Sequence, residues 1–215
     1  WRKTFEIFIY SGNSKIHDNE MLGINFENKI YKKNDKKERN RLLKDLNKAC
    51  ENHEAYKIKS DYKEGFDVCT EKYIGNKAGD ILLKILKNKE DYSMNYVRKI
   101  LEALFKKYKK LELIPSNLDF AQTSRFLSGD IENNFQLNES SRLPVPISET
   151  LRCIIRTVNP GSHYTSDEEL KKDVDKYLSN KYSKKAIVLL LMDVLIDFKR
   201  QIDSNPVRNN WKVIN

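Results

Sequence analysis

SMNYVRKILEALFKKYKKLELIP, residues 93–115, decides the fold class. Val97, Ile100, Leu101, Leu104, Phe105, Tyr108 and Leu111 recur at intervals of three and four, which lines one face of a helix with apolar groups. Ser93 can cap its start and Pro115 stops the chain beyond its end. Lys106, Lys107, Lys109 and Lys110 crowd the last turns, where positive charge suits the helix dipole. Downstream, ISETLRCIIRTVN (147–159) puts Ile147, Leu151, Ile154, Ile155 and Val158 on one side of a second helix, and Pro160-Gly161 is expected to stop it. Ser166 to Glu169 reads as a capping box that starts another helix near Asp167. SKKAIVLLLMDVLIDFKRQID (183–203) is apolar around most of its girth, so it belongs at the centre of the core.

The pattern weakens between and before these helices. Residues 116–146 carry turn residues and prolines, with one short helix in NLDFAQTSRFL; they read as an exposed connector. NKAGDILLKILKNK (76–89) is helical, and residues 55–75 look irregular. From near Asp35, Leu42, Leu43, Leu46, Cys50 and His53 share a face of a helix of roughly five turns. KTFEIFIY (3–10) alternates like a strand and would pair with GINFENKIYK across a polar turn. The expectation is a mainly α protein: a helical bundle (76–215) preceded by a basic region (1–75) with a small β element and one helix. The chain begins with Trp1, not Met, and so reads as a piece of something longer.

The formal net charge is +9, and the first 110 residues hold 26 Lys+Arg against 17 Asp+Glu, so the basic excess lies there. Such a surface favours a polyanion, nucleic acid first, with Lys36, Lys37, Arg39 and Arg41 beside the four lysines near residue 108 as candidate contacts. A charge run is also the ordinary form of a solvated helix face. Tyr31, Tyr56 and Tyr62 lie near these lysines and either stack bases or pack.

Other classes fall away. The longest strongly apolar run, AIVLLLMDVLI, is too short for a bilayer and contains Asp193, so no membrane association is expected. Three widely spaced cysteines suggest neither a disulfide framework nor a zinc site, and a cytoplasmic setting suits them. With seven glycines and no nucleotide-binding loop, no cofactor or metal is expected. Asp193 and Asp197, four apart, read as a solvated stripe. Of three histidines, His17 sits in a polar turn and His53 on an apolar helix side. His163 stands just past a helix break, seven residues after Arg156. An imidazole beside a fixed cation suits phosphodiester chemistry.

RTVNPGSH (156–163), an arginine and a histidine separated by six residues, resembles the R-x(4–6)-H motif of the HEPN superfamily. NPGSH is similar to the version in bacterial HEPN-like proteins of defence loci, and YVRKILEALFKKY, with Arg98 and Glu102, resembles a preceding helix of that group. The resemblance spans roughly residues 93–203 and leaves the first 75 unassigned. It implies metal-independent RNA cleavage in active members: His163 as general base or acid at the ribose 2′-hydroxyl, Arg156 steadying the phosphate, Asn159 orienting either. A composite site in a homodimer is also implied. In many active members the pair lies close on a helix, whereas here Pro160-Gly161 intervenes. Other members are dimerisation or binding modules in larger defence complexes. In those, Arg156 and His163 would only hold helix ends.

Overall fold

A computed structural model describes residues 7–20, 29–161, 167–204 and 210–214. It is mainly helical, with nine α-helices and four short strands among the described residues. The chain forms two compact units, residues 1–57 and 58–215. The break therefore lies upstream of the expected one after residue 75.

In the first unit, β1 (Ile9–Ser11) pairs with β2 (Ile30–Lys32). The strands run parallel, with Tyr10 opposite Tyr31. A polar turn cannot join parallel neighbours, and the connection includes α1 (Ser14–His17), capped by Asn13. His17 closes this turn, its Nε2 lying 2.7 Å from the Ser11 carbonyl oxygen. Tyr31 is fully buried and its hydroxyl donates to Asp45 at 2.7 Å. Burial, then that carboxylate, push the phenol up to about 12.

Asp45 belongs to α2 (Lys36–Asp61), which Asp35 caps by accepting from the Lys37 and Glu38 amides. This helix is longer than expected, and none of its residues is buried. Leu43 is 50% exposed, and Cys50 and His53 are exposed, so the apolar helix side on which His53 was expected is not realised. The stretch expected to be irregular is largely helical, covered by the end of α2 and by α3 (Lys63–Val68).

The second unit continues through α4 (Asn76–Lys87), α5 (Met94–Lys110) and α6 (Phe120–Leu127). After β3 (Phe135–Leu137) come α7 (Val145–Gly161), α8 (Glu168–Leu178), α9 (Lys181–Asp203) and β4 (Trp211–Val213). The apolar face read from residues 93–115 is the buried face of α5, and the Ser93 hydroxyl caps it by accepting from the Asn95 amide. α9 is central, packing on α7, α3 and α8, with Ile187, Leu191 and Leu195 fully buried. Asp193 and Asp197 part company: Asp193 is exposed, while Asp197 is buried and accepts from Gln201 at 2.6 Å and Arg200 at 3.2 Å.

Residues 116–146 are not an exposed connector. Leu118, Phe126, Leu127, Leu137 and Leu143 enter the core, and β3 pairs antiparallel with β4. Asp119 and Gln122 form a reciprocal capping box on α6, which supplies the local order that composition hid. Among the described residues, no helix is long and apolar enough to cross a membrane.

Candidate functional site

α7 carries Arg156 and Asn159, and its periodicity divides its sides among several neighbours. Leu151, Ile154, Ile155 and Val158 are buried in the core. The helix does not stop before Pro160 but runs through it to Gly161. Proline has no N–H, so Pro160 cannot donate to the carbonyl of Arg156 four residues earlier, which weakens the ladder at the motif arginine.

A second flank of α7 presents Glu149, Arg152, Cys153, Arg156 and Thr157 to a cleft of about 480 Å³. Across it stand Leu170, Asp173, Val174 and Tyr177 of α8. Both sets recur at three and four, so each is one side of a helix. α8 starts one residue later than the expected box: Asp167 is its N-cap, accepting from the Leu170 amide at 3.0 Å.

The two arginines differ. Arg152 donates through Nη2 to both carboxylate oxygens of Asp130, at 2.9 and 3.0 Å. Its Nε is buried with no acceptor among the described residues. Arg156 is exposed and its guanidinium has no ion pair or hydrogen bond among the described residues. Side chains one turn apart are neighbours on a helix surface. The cleft therefore holds a guanidinium whose charge is unmatched beside one with a spare buried donor.

Asn159 faces α5 instead. Its Oδ1 accepts from Arg98 Nη1 at 3.0 Å, while Arg98 Nε donates to Glu102 at 2.8 Å. The Arg98 guanidinium also lies 4.6 Å from the Phe120 ring centroid of α6, and only 13% of this side chain is exposed. One arginine thus ties three helices together at the residue three beyond Arg156. His163, with Ser162 and Ser166, lies outside the described residues.

The basic candidates separate by what already holds them. Lys106 and Lys110 are exposed on α5, four residues apart, and Lys107 is half-buried. The Lys109 ammonium donates to the Leu118 carbonyl and so serves the chain's own backbone. Lys36, Lys37 and Arg39 are exposed at the start of α2. Arg41 is engaged: it lies 4.7 Å from the Tyr31 ring centroid, donates to the Ile30 carbonyl at 2.9 Å and pairs with Glu38 at 3.0 Å. Of the tyrosines, Tyr31 packs, Tyr62 accepts from Lys89 at 2.5 Å and Tyr56 is 61% exposed.

Sequence reasoning did not single out Arg152 or Tyr177. Arg152 had a signal, since it stands one turn before Arg156. Tyr177 had none, because its place depends on how α8 packs. Among the described residues, no three His, Cys, Asp or Glu converge to hold a metal ion. No family model, no curated protein and no solved structure matches the chain.

Proposed function

We propose that the chain is a HEPN-like, nucleic-acid-associated domain whose α7 carries a metal-independent endoribonuclease site. The observation that carries this reading is the unmatched guanidinium of Arg156 beside Arg152 in the α7–α8 cleft. A phosphodiester is the ligand class for which a pair of arginines is best suited, since their forked donors fit its two free oxygens. His163 follows the last residue of α7 by two positions.

In this reading His163 takes the proton of a ribose 2′-hydroxyl. The 2′-oxygen then bonds to phosphorus and the bond to the 5′-oxygen breaks, leaving a 2′,3′-cyclic phosphate and a 5′-hydroxyl. Arg156 offsets the negative charge that grows on the free phosphate oxygens. Asn159, fixed by Arg98, positions the end of α7. In a homodimer the two copies of His163 divide the base and acid roles, the second protonating the leaving 5′-oxygen. Lys106 and Lys110, with Lys36, Lys37 and Arg39, steer the polyanion.

A second reading is a non-catalytic helical module of a defence or nucleic-acid complex. It is favoured by Tyr182 and Leu189 of α9, which are 66% and 57% exposed and offer apolar surface to a partner.

The deciding experiment incubates labelled RNA with purified protein in EDTA, beside folded Arg156→Ala and His163→Ala variants. Cyclic-phosphate ends made by the wild type and lost in both variants support the nuclease. Equal products from all three proteins, or none from any, sink it and leave the module reading ahead.

A further inference from the structure

The cleft has two unlike walls. On α7 stand Arg152 and Arg156, one turn apart. On α8, Leu170, Val174 and Tyr177 recur at four and three and form an apolar wall ending in an aromatic ring. Val174 is almost wholly buried. Leu170 and Tyr177, four residues before it and three after, are 40% and 45% exposed. The Tyr177 hydroxyl makes no hydrogen bond among the described residues. An exposed tyrosine is unremarkable by itself. Here it lines a concave site whose opposite wall is cationic.

A nucleotide has the same two-sidedness. Its phosphate is an anion for guanidinium groups and its base is a flat apolar face for an aromatic ring. A cleft of about 480 Å³ lies within the usual range for small-ligand sites. The remaining lining groups restrict how much backbone it takes. Glu149 and Asp173 place a carboxylate on each wall, and Arg152 already answers Asp130. That balance suits one phosphodiester and opposes a run of them.

We propose that this cleft is a single-nucleotide subsite for single-stranded RNA, with the phosphate on Arg152 and Arg156 and the base stacked on Tyr177 against the Leu170–Val174 wall. The inference rests on the RNA-directed reading of α7 and adds to it the strandedness of the substrate and a base-binding residue on a different helix. Duplex RNA is excluded from this subsite because a paired, stacked base cannot offer its face to a side chain.

The test separates binding from cleavage. The probe is a short 2′-O-methyl oligoribonucleotide carrying one 2-aminopurine; lacking free 2′-hydroxyls, it stays intact whether or not the protein is a nuclease. Fluorescence titration is run with the full chain as wild type, Tyr177→Ala and Tyr177→Phe, each checked by circular dichroism. Loss of one base–aromatic stack corresponds to about a 5- to 150-fold rise in Kd. That rise is expected for Tyr177→Ala, with quenching retained in Tyr177→Phe, and an unlabelled abasic oligonucleotide is expected to compete poorly with the probe. The proposal is overturned if Tyr177→Ala binds within about twofold of wild type. It also falls if Tyr177→Phe is as weak as Tyr177→Ala, if the unlabelled abasic oligonucleotide competes as well as the same oligonucleotide with its bases, or if wild type does not bind. A base-dependent result alongside failed RNA cleavage would keep the subsite and remove the nuclease.

Discussion

Three consecutive leucines in α9 give a direct reading of how that helix is turned. Leu189 is 57% exposed, Leu190 is half-buried and Leu191 is fully buried. Successive residues on an α-helix point about 100° apart, so the triplet samples most of the circumference. Leu191→Ala removes a side chain enclosed between α9 and its neighbours, and such truncations cost about 2–5 kcal/mol, more where the cavity cannot collapse. Leu190→Ala loses part of that transfer energy, about 1–2 kcal/mol. Leu189→Ala removes surface that is mostly wet and replaces leucine with the best helix former, so its effect stays within about 0.5 kcal/mol. For a unit of this size, about 2–4 °C of Tm accompanies each kcal/mol, which places Leu191→Ala about 4–20 °C below wild type. Trp211 is the reporter, since its ring stands 5.0 Å from Phe135 and its indole N–H donates to the Glu112 carbonyl, all within the second unit. A Trp1→Phe background isolates its fluorescence, and urea midpoints should fall in the order 189, 190, 191 with m unchanged. If Leu189→Ala costs as much as Leu191→Ala, or the order reverses, α9 is turned differently and the assigned core is wrong.

Two further outcomes concern charge. Asp203 accepts from Lys72 at 2.7 Å, from Tyr73 at 2.7 and 2.8 Å, and from Lys199 at 3.0 Å. The Lys72 hydrogen bond first, then those from Tyr73 and Lys199, hold its carboxyl well below the usual carboxylate range. A depressed folded value means the stabilisation is full above the unfolded value of about 4 and is lost as pH falls through the folded one. Asp203→Asn should therefore lie below wild type in urea midpoint at pH 7, with the gap closing as pH drops under about 4; a constant gap would refute the ionic role. For RNA binding, removing both Lys106 and Lys110 should make the slope of log K against log salt shallower by about 1.4, the value for two contacts to a single strand. Lys109→Ala should leave that slope alone and lower Tm, because its ammonium is held by the Leu118 carbonyl; an unchanged slope in the double variant would remove α5 from the binding surface.

Where the chain could be read, an amphipathic face met a partner. The intervals in residues 93–115 became the buried side of α5, and the apolar girth of 183–203 became the central helix. The same three-and-four spacing in Leu42, Leu43 and Leu46 marks a side that is not fully buried among the described residues, with Leu42 half-buried and Leu43 and Leu46 exposed, since periodicity reports what a helix could cover, not what covers it. Residues 116–146 misled because their order comes from a distant strand: Leu137 sits opposite Trp211. The parallel sense of β1 and β2 was likewise invisible in strands of three residues. Asp197 looked like part of a wet stripe because its donors, Gln201 and Arg200, mattered more than its interval from Asp193. Of the residues named from the sequence, Arg156 lines the α7–α8 cleft and Asn159 meets Arg98 instead, while Arg152 stood at one-turn spacing from Arg156. Tyr177 required the packing of α8.

Arg156 and Asn159 are three residues apart, which on a helix turns them only about 60° from each other. That small angle is enough to give them different neighbours: Arg156 lines the cleft shared with α8, and Asn159 meets Arg98 of α5. Between this contact and the end of α7 stands Pro160, where the helix ladder is weakest. A guanidinium in a helix about to lose a rung would wander with that helix, and a site needs its groups held to within about half an ångström. Arg98 answers the weakness at the right place. It is mostly buried, its fork is fixed by Glu102 and the Phe120 ring, and it grips the residue immediately before the proline. The end of α7 is thereby anchored to α5 and α6. An asparagine directly before a proline has in this fold a mechanical reason of its own, independent of any chemistry nearby.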